Sequence, residues 1–119
     1  MIHRASECRV EVREKMRGGD GHVTITHFFD EAGELRSGTR LCAKLELEPG
    51  SSIGFHRHEN EEEMFVVLAG RGEIDDDGTP GAVSPGDTIL TGNAGHAVRN
   101  PGPDKLVLLA VIAPFAPGR

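Results

Sequence analysis

Glycine and proline interrupt this chain so often that a long helix has no room to form. Sixteen Gly and seven Pro are spread at short intervals through 119 residues. No segment between them keeps the 3.6-residue period of an amphipathic helix. What remains alternates with period two. Leu41, Ala43, Leu45 and Leu47 alternate with Cys42, Lys44 and Glu46 before Pro49-Gly50 turns the chain. Cys8, Val10 and Val12 alternate with Arg9, Glu11 and Arg13, and residues 22–29 are rich in Thr, Val, Ile and Phe. Residues 53–58, 63–69, 71–75, a short Ala-Val-Ser, 87–91, 96–100 and 105–113 supply further strands. Asp77-Gly78 and Pro85-Gly86 mark tight turns. Many short strands joined by turn chemistry predict an all-β chain closed into a barrel or jelly roll.

This length suits one domain with a single core, its barrel at residues 40–113. The N-terminal strands, 8–29, are expected to pack on that barrel or on a partner subunit. A net charge of −6 and a pI near 5.4 exclude nucleic acid and anionic membrane as natural partners. The longest apolar run, residues 106–113, is far shorter than a membrane span. The opening MIHRASECRVEV lacks the apolar stretch of a secretory signal. Cys8 and Cys42 form no disulfide pattern. A soluble cytoplasmic protein is the expectation, with PFAPGR as a frayed C-terminal tail. Two strands, 64–69 and 106–113, are apolar on both faces, whereas an antiparallel strand facing water on one side alternates. Something covers them: a second subunit in a homodimer, or else a long loop or the N-terminal strand folding across.

The stretch GFHRHENEEEMFVVLAG carries the chemistry. Residues i and i+2 of a strand share a face, so His56 and His58 point together. Glu63 opens the next strand, sharing its face with Phe65 and Val67. Downstream, His96 begins a strand with Val98 and Asn100 on its side. Any one of these groups alone is weak, since an H-x-H pair or an acidic turn is common on surfaces. Jointly, three imidazoles and a carboxylate suit one divalent transition metal, Mn, Fe, Ni or Zn, with open positions left for a ligand. The DDDG run lacks the alternating oxygen ligands of a calcium loop and reads as a solvated hairpin turn.

This spacing resembles the cupin family. The first cupin motif is matched at every position, from Gly50 through His56, His58 and Glu63 to Gly70. The second is matched at Gly86, His96 and Asn100, but Gly92 replaces its proline and the stretch before His96 is one residue short. The wider resemblance runs over residues 9–113, towards small single-domain members. It implies a double-stranded β-helix, commonly dimeric, with His56, His58, Glu63 and His96 as metal ligands. Gly50, Pro85-Gly86 and Asn100 would shape turns. The missing residue falls in Gly-Asn-Ala-Gly, expected to be a tighter loop that still delivers His96.

By that resemblance the chain is a metal-dependent enzyme of oxygenase, isomerase or lyase type on a small polar metabolite. The alternative is a non-catalytic metal and small-molecule binding or sensor module. The absence of tyrosine weighs against family members that use a phenol as acid or base. His22 and His27 are the candidates for a second acid/base group, and both read first as ordinary surface histidines.

Overall fold

The computed structural model describes residues 1–118. Its strands are β1 (Arg9–Glu14), β2 (His22–His27), β3 (Leu41–Leu47), β4 (Ser52–Ala69), β5 (Gly72–Asp76), β6 (Thr79–Val83), β7 (Thr88–Arg99) and β8 (Leu106–Pro114). The only helical segments among the described residues are two short 3-10 turns, Ala5–Glu7 and Met16–Gly18. All pairings are antiparallel, in the order β1-β2-β3-β8-β4-β7-β5-β6. The architecture is the double-stranded β-helix.

The long strands β4 and β7 make one sheet into two facing layers. They pair along most of their length, from Ser52 opposite Arg99 to Val66 opposite Thr88. The second half of β4 also pairs with β8, and the second half of β7 with β5. Each strand therefore belongs to one layer at one end and to the other layer at the other end. The bend between the ends falls where the register shifts, between His58 and Glu62. Asn60 (φ 62°) and Asn93 (φ 47°) take left-handed backbone there, which asparagine tolerates better than most residues. The Asn60 amide donates to the Asn93 side-chain oxygen at 2.9 Å, tying the two bulges together.

This bend corrects two expectations. Residues 53–58 and 63–69 are not separate strands around an acidic turn, and Gly-Asn-Ala-Gly is not a loop before His96. Each region is continuous strand with a bulge, because a single left-handed residue absorbs the bend while pairing resumes on both sides. The Asp77-Gly78 hairpin is as expected, with φ of 50° and 96° at its two turn residues.

Between the layers lies a core that includes Val23, Ile25, Leu45, Leu47, Phe65, Val67, Val98, Leu106 and Leu108, all nearly inaccessible. Phe65 and Val67 face inward, as the strand pattern predicts. Asn100 is completely buried and replaces missing backbone partners. It donates to the carbonyls of Leu47 (2.8 Å) and Asp104 (2.9 Å) and accepts from the Gly102 amide (2.8 Å). That is the turn-shaping role expected of it.

Strand β1 turns the apolar side of its alternation outward. Val10 and Val12 are each 56% exposed, while Arg9, Glu11 and Arg13 line an internal cavity. The polar face turns inward because the cavity it borders is polar. Phe115 departs from the frayed-tail expectation: its amide donates to the Asn60 carbonyl, and its ring lies against Gly92. Arg119 lies outside the described residues.

Candidate metal centre

His56, His58, Glu63 and His96 come together, with one donor atom from each lying within 4.8 Å of all the others. The strand that supplies the first three and the strand that supplies the fourth are neighbours, with His56 directly opposite His96 in the register. His58, Glu63 and His96 are buried and His56 is half-buried. His96 Nε2 lies 3.2 Å from both His56 Nε2 and His58 Nε2. Glu63 Oε1 lies 2.9 Å from His58 Nε2 and 3.0 Å from His96 Nε2.

Outer partners set which ring nitrogen faces the centre. The carbonyl of Gly54 lies 2.8 Å from His56 Nδ1, and a Glu61 carboxylate oxygen lies 2.7 Å from His58 Nδ1. Carbonyl and carboxylate oxygens only accept, so both Nδ1 atoms carry protons and both Nε2 atoms turn towards the centre. His96 Nδ1 meets the Thr91 hydroxyl at 3.0 Å. Imidazole lone pairs and a carboxylate aimed at one point repel unless positive charge sits among them. A proton or a cation provides it, and this donor set and orientation fit a divalent metal.

The electrostatics agree. Glu63 keeps its carboxyl below the ordinary range: burial pushes the other way, and the hydrogen bonds with His58 and His96 overcome it. Glu63 and then Glu61 raise the pKa of His58 against its own burial. His56 moves down, chiefly by burial, with the Gly54 carbonyl opposing. The Arg40 guanidinium, 2.8 and 2.6 Å from the Glu61 carboxylate oxygens, holds that carboxyl at about 2. A chain of contacts thus runs from Arg40 through Glu61 to His58. Sequence reasoning missed Glu61, Thr91 and Arg40. Glu61 stands three residues after His58, among several equivalent acids.

The centre opens into a cavity of about 180 Å³ walled by β1, β2 and the turn after β1. His27 faces it and contacts Glu11 at 2.6 Å. His22, the other proposed acid/base candidate, does not line it. A wider depression of about 580 Å³ lies beyond Gly54, towards β5 and β6. None of the four clustered donors lines it.

Residues 43–112 match the Cupin domain family model. The chain is a cupin. A curated relative from Thermotoga maritima, an oxalate-binding protein, is 37% identical over 113 residues, covering 94% of this cupin and 93% of the relative. A crystal structure of a predicted oxalate decarboxylase from Thermotoga maritima superposes with a TM-score of 0.90 at 36% identity, covering 97% of this cupin and 100% of that chain. A polyketide cyclase from Streptomyces resistomycificus shares the fold at TM-score 0.73 and 20% identity, covering 96% of this cupin and 80% of the cyclase. No helix in the described residues of the cupin is long and apolar enough to cross a membrane.

Proposed function

We propose that this cupin holds one divalent transition metal on His56, His58, Glu63 and His96 and binds a small dicarboxylate of the oxalate class beside it. The convergence of four donors, three of them buried, beside a 180 Å³ cavity lined by His56, His58 and Glu63 carries the reading. Such a volume suits a ligand of a few heavy atoms, and Arg9, Arg13, Arg17 and Arg40 border it. The similarity to an oxalate-binding protein supports the same ligand class. The metal would act as a Lewis acid towards a bound carboxylate.

A second reading, turnover rather than binding alone, is favoured by the Glu11–His27 pair on the opposite wall. That pair can hold a proton facing the cavity, and oxalate decarboxylation consumes one proton to give formate and carbon dioxide. Equilibrium dialysis of metal-loaded protein against labelled oxalate, followed by a formate assay, tests both readings. Metal-dependent binding at one oxalate per chain is expected. Binding that is equal with and without metal contradicts the proposal, and formate release selects the enzyme.

We place the cupin in the cytoplasm, where its two free cysteines, Cys8 and Cys42, stay reduced. We also propose a homodimer. On the outer face of β4, Met64 pairs across to Leu90 and Val111, and Val66 to Leu109. Leu90 is 62% exposed, Leu68 49% and Met64 38%. A contiguous apolar face on paired strands favours cover by a second copy. Sedimentation at micromolar concentration should give twice the 12.8 kDa chain mass. A monomer under those conditions contradicts the assignment.

A further inference from the structure

Four arginines, Arg9, Arg13, Arg17 and Arg40, border the cavity above the candidate metal centre. Three of them are committed. Arg9 pairs with Asp30, Arg13 with Glu11, and Arg40 with Glu61. Among the described residues, Arg17 alone of the four has no hydrogen bond or ion pair from its side chain to another side chain or to the backbone. Its charge therefore faces the cavity unspent.

The backbone under Arg17 is built to hold it there. Arg17 takes left-handed backbone (φ 55°, ψ 28°), and so does Lys15 (φ 49°, ψ 46°). Such conformations are uncommon for residues with a side chain and are kept where surrounding structure enforces them. The enforcement is visible. Met16, between the two, packs against the core. The amides of Gly18 and Gly19 close the turn onto the Lys15 and Met16 carbonyls at 2.9 and 3.0 Å. The turn also lies directly on β4: a Cβ on Gly54 would collide with the Arg17 carbonyl oxygen, and one on Gly19 with the Ser52 carbonyl oxygen. The Asp20 amide donates to Ser52 Oγ at 2.8 Å, and the Ser52 amide to the Asp20 carbonyl at 2.9 Å. Gly54 thus supports Arg17 from below while its own carbonyl orients His56.

We infer that Arg17 is the specificity-determining residue that grips a carboxylate of the bound ligand at the cavity wall, on the side of Gly54 and His56. The inference rests on the proposed function for the presence of an anionic ligand, and adds the residue that selects it. A planar guanidinium suits a carboxylate because two parallel N–H groups meet its two oxygens. The paired arginines leave less of their charge for a ligand, since their own carboxylates already accept from them.

The test compares wild type with Arg17→Gln, Arg17→Lys and Arg13→Gln, each loaded with Mn(II). Metal affinity and the binding of formate, oxalate and malonate are measured by calorimetry. Arg17→Gln should lose roughly 10- to 100-fold in carboxylate affinity, the size of one charged hydrogen-bonded contact, with metal affinity unchanged. Arg17→Lys should recover part of the loss, and Arg13→Gln should lose less than threefold. Arg17→Gln binding every carboxylate as wild type does overturns the inference. So does an equal loss in Arg13→Gln, which would mean that the general positive field attracts the ligand. If oxalate fails on wild type while formate or malonate binds and depends on Arg17, the oxalate assignment falls and the Arg17 inference stands. If none of the three binds wild type, both fall.

Discussion

His96→Ala is expected to weaken metal binding by at least about 100-fold, the upper end of what loss of a mere supporting contact costs. His96 is fully buried, its Nε2 lies 3.2 Å from the Nε2 atoms of His56 and His58, and Thr91 holds its other nitrogen. Nothing in this arrangement lets the ring swing to solvent, although the second motif is one residue short. His56→Ala should lose a comparable amount. If His96→Ala binds metal as tightly as wild type while His56→Ala does not, the site has three ligands and this assignment of the fourth is wrong. Acid should release the metal from the intact protein. With its pKa raised by Glu63 and then Glu61 against its own burial, His58 in metal-free protein takes up its proton at a higher pH than an ordinary imidazole. That ion pair stabilises metal-free protein fully below its unfolded pKa and is lost as pH rises through the raised folded value. The metal needs the neutral ring, so its stabilisation has the opposite sign and grows with pH. The gap in melting temperature between loaded and metal-free protein should narrow as pH falls through the ordinary histidine range.

Phe65→Ala should lower stability by about 3–5 kcal/mol, as truncation of a large core side chain does. Phe65 is 2% exposed and its ring stacks on His96, with centroids 5.2 Å apart and planes within 12°. The cavity left by the substitution would adjoin the metal centre. Chemical denaturation of metal-free protein reads the stability change without a contribution from the metal. A loss below about 1 kcal/mol would mean that Phe65 does not pack the barrel floor.

Much of this architecture is legible in the sequence because period two survives tertiary folding. The alternation of Leu41 to Leu47 appears directly in the burial of β3, where Ala43, Leu45 and Leu47 are inaccessible. The grouping of His56, His58, Glu63 and His96 is legible for the same reason, helped by the spacing of two motifs. The bends in β4 and β7 are not legible. Asn60 and Asn93 sit in polar runs that read as turns, and only cross-strand pairing shows that the ladder continues past them. The outward facing of the β1 valines is hidden too. Val10 and Val12 look like core residues until the cavity beside Glu11 is in view. Arg17 follows two other arginines in a polar stretch, and its distinction lies in what its neighbours already pair with.

Titration of chelator-stripped protein with Mn(II), Fe(II), Ni(II) and Zn(II) at neutral pH tests the central claim most directly, with calorimetry and metal content after gel filtration as readouts. At least one of the four should bind at one ion per chain and stay bound through gel filtration. Stripped, folded protein that takes up none of them would contradict the metal centre on His56, His58, Glu63 and His96.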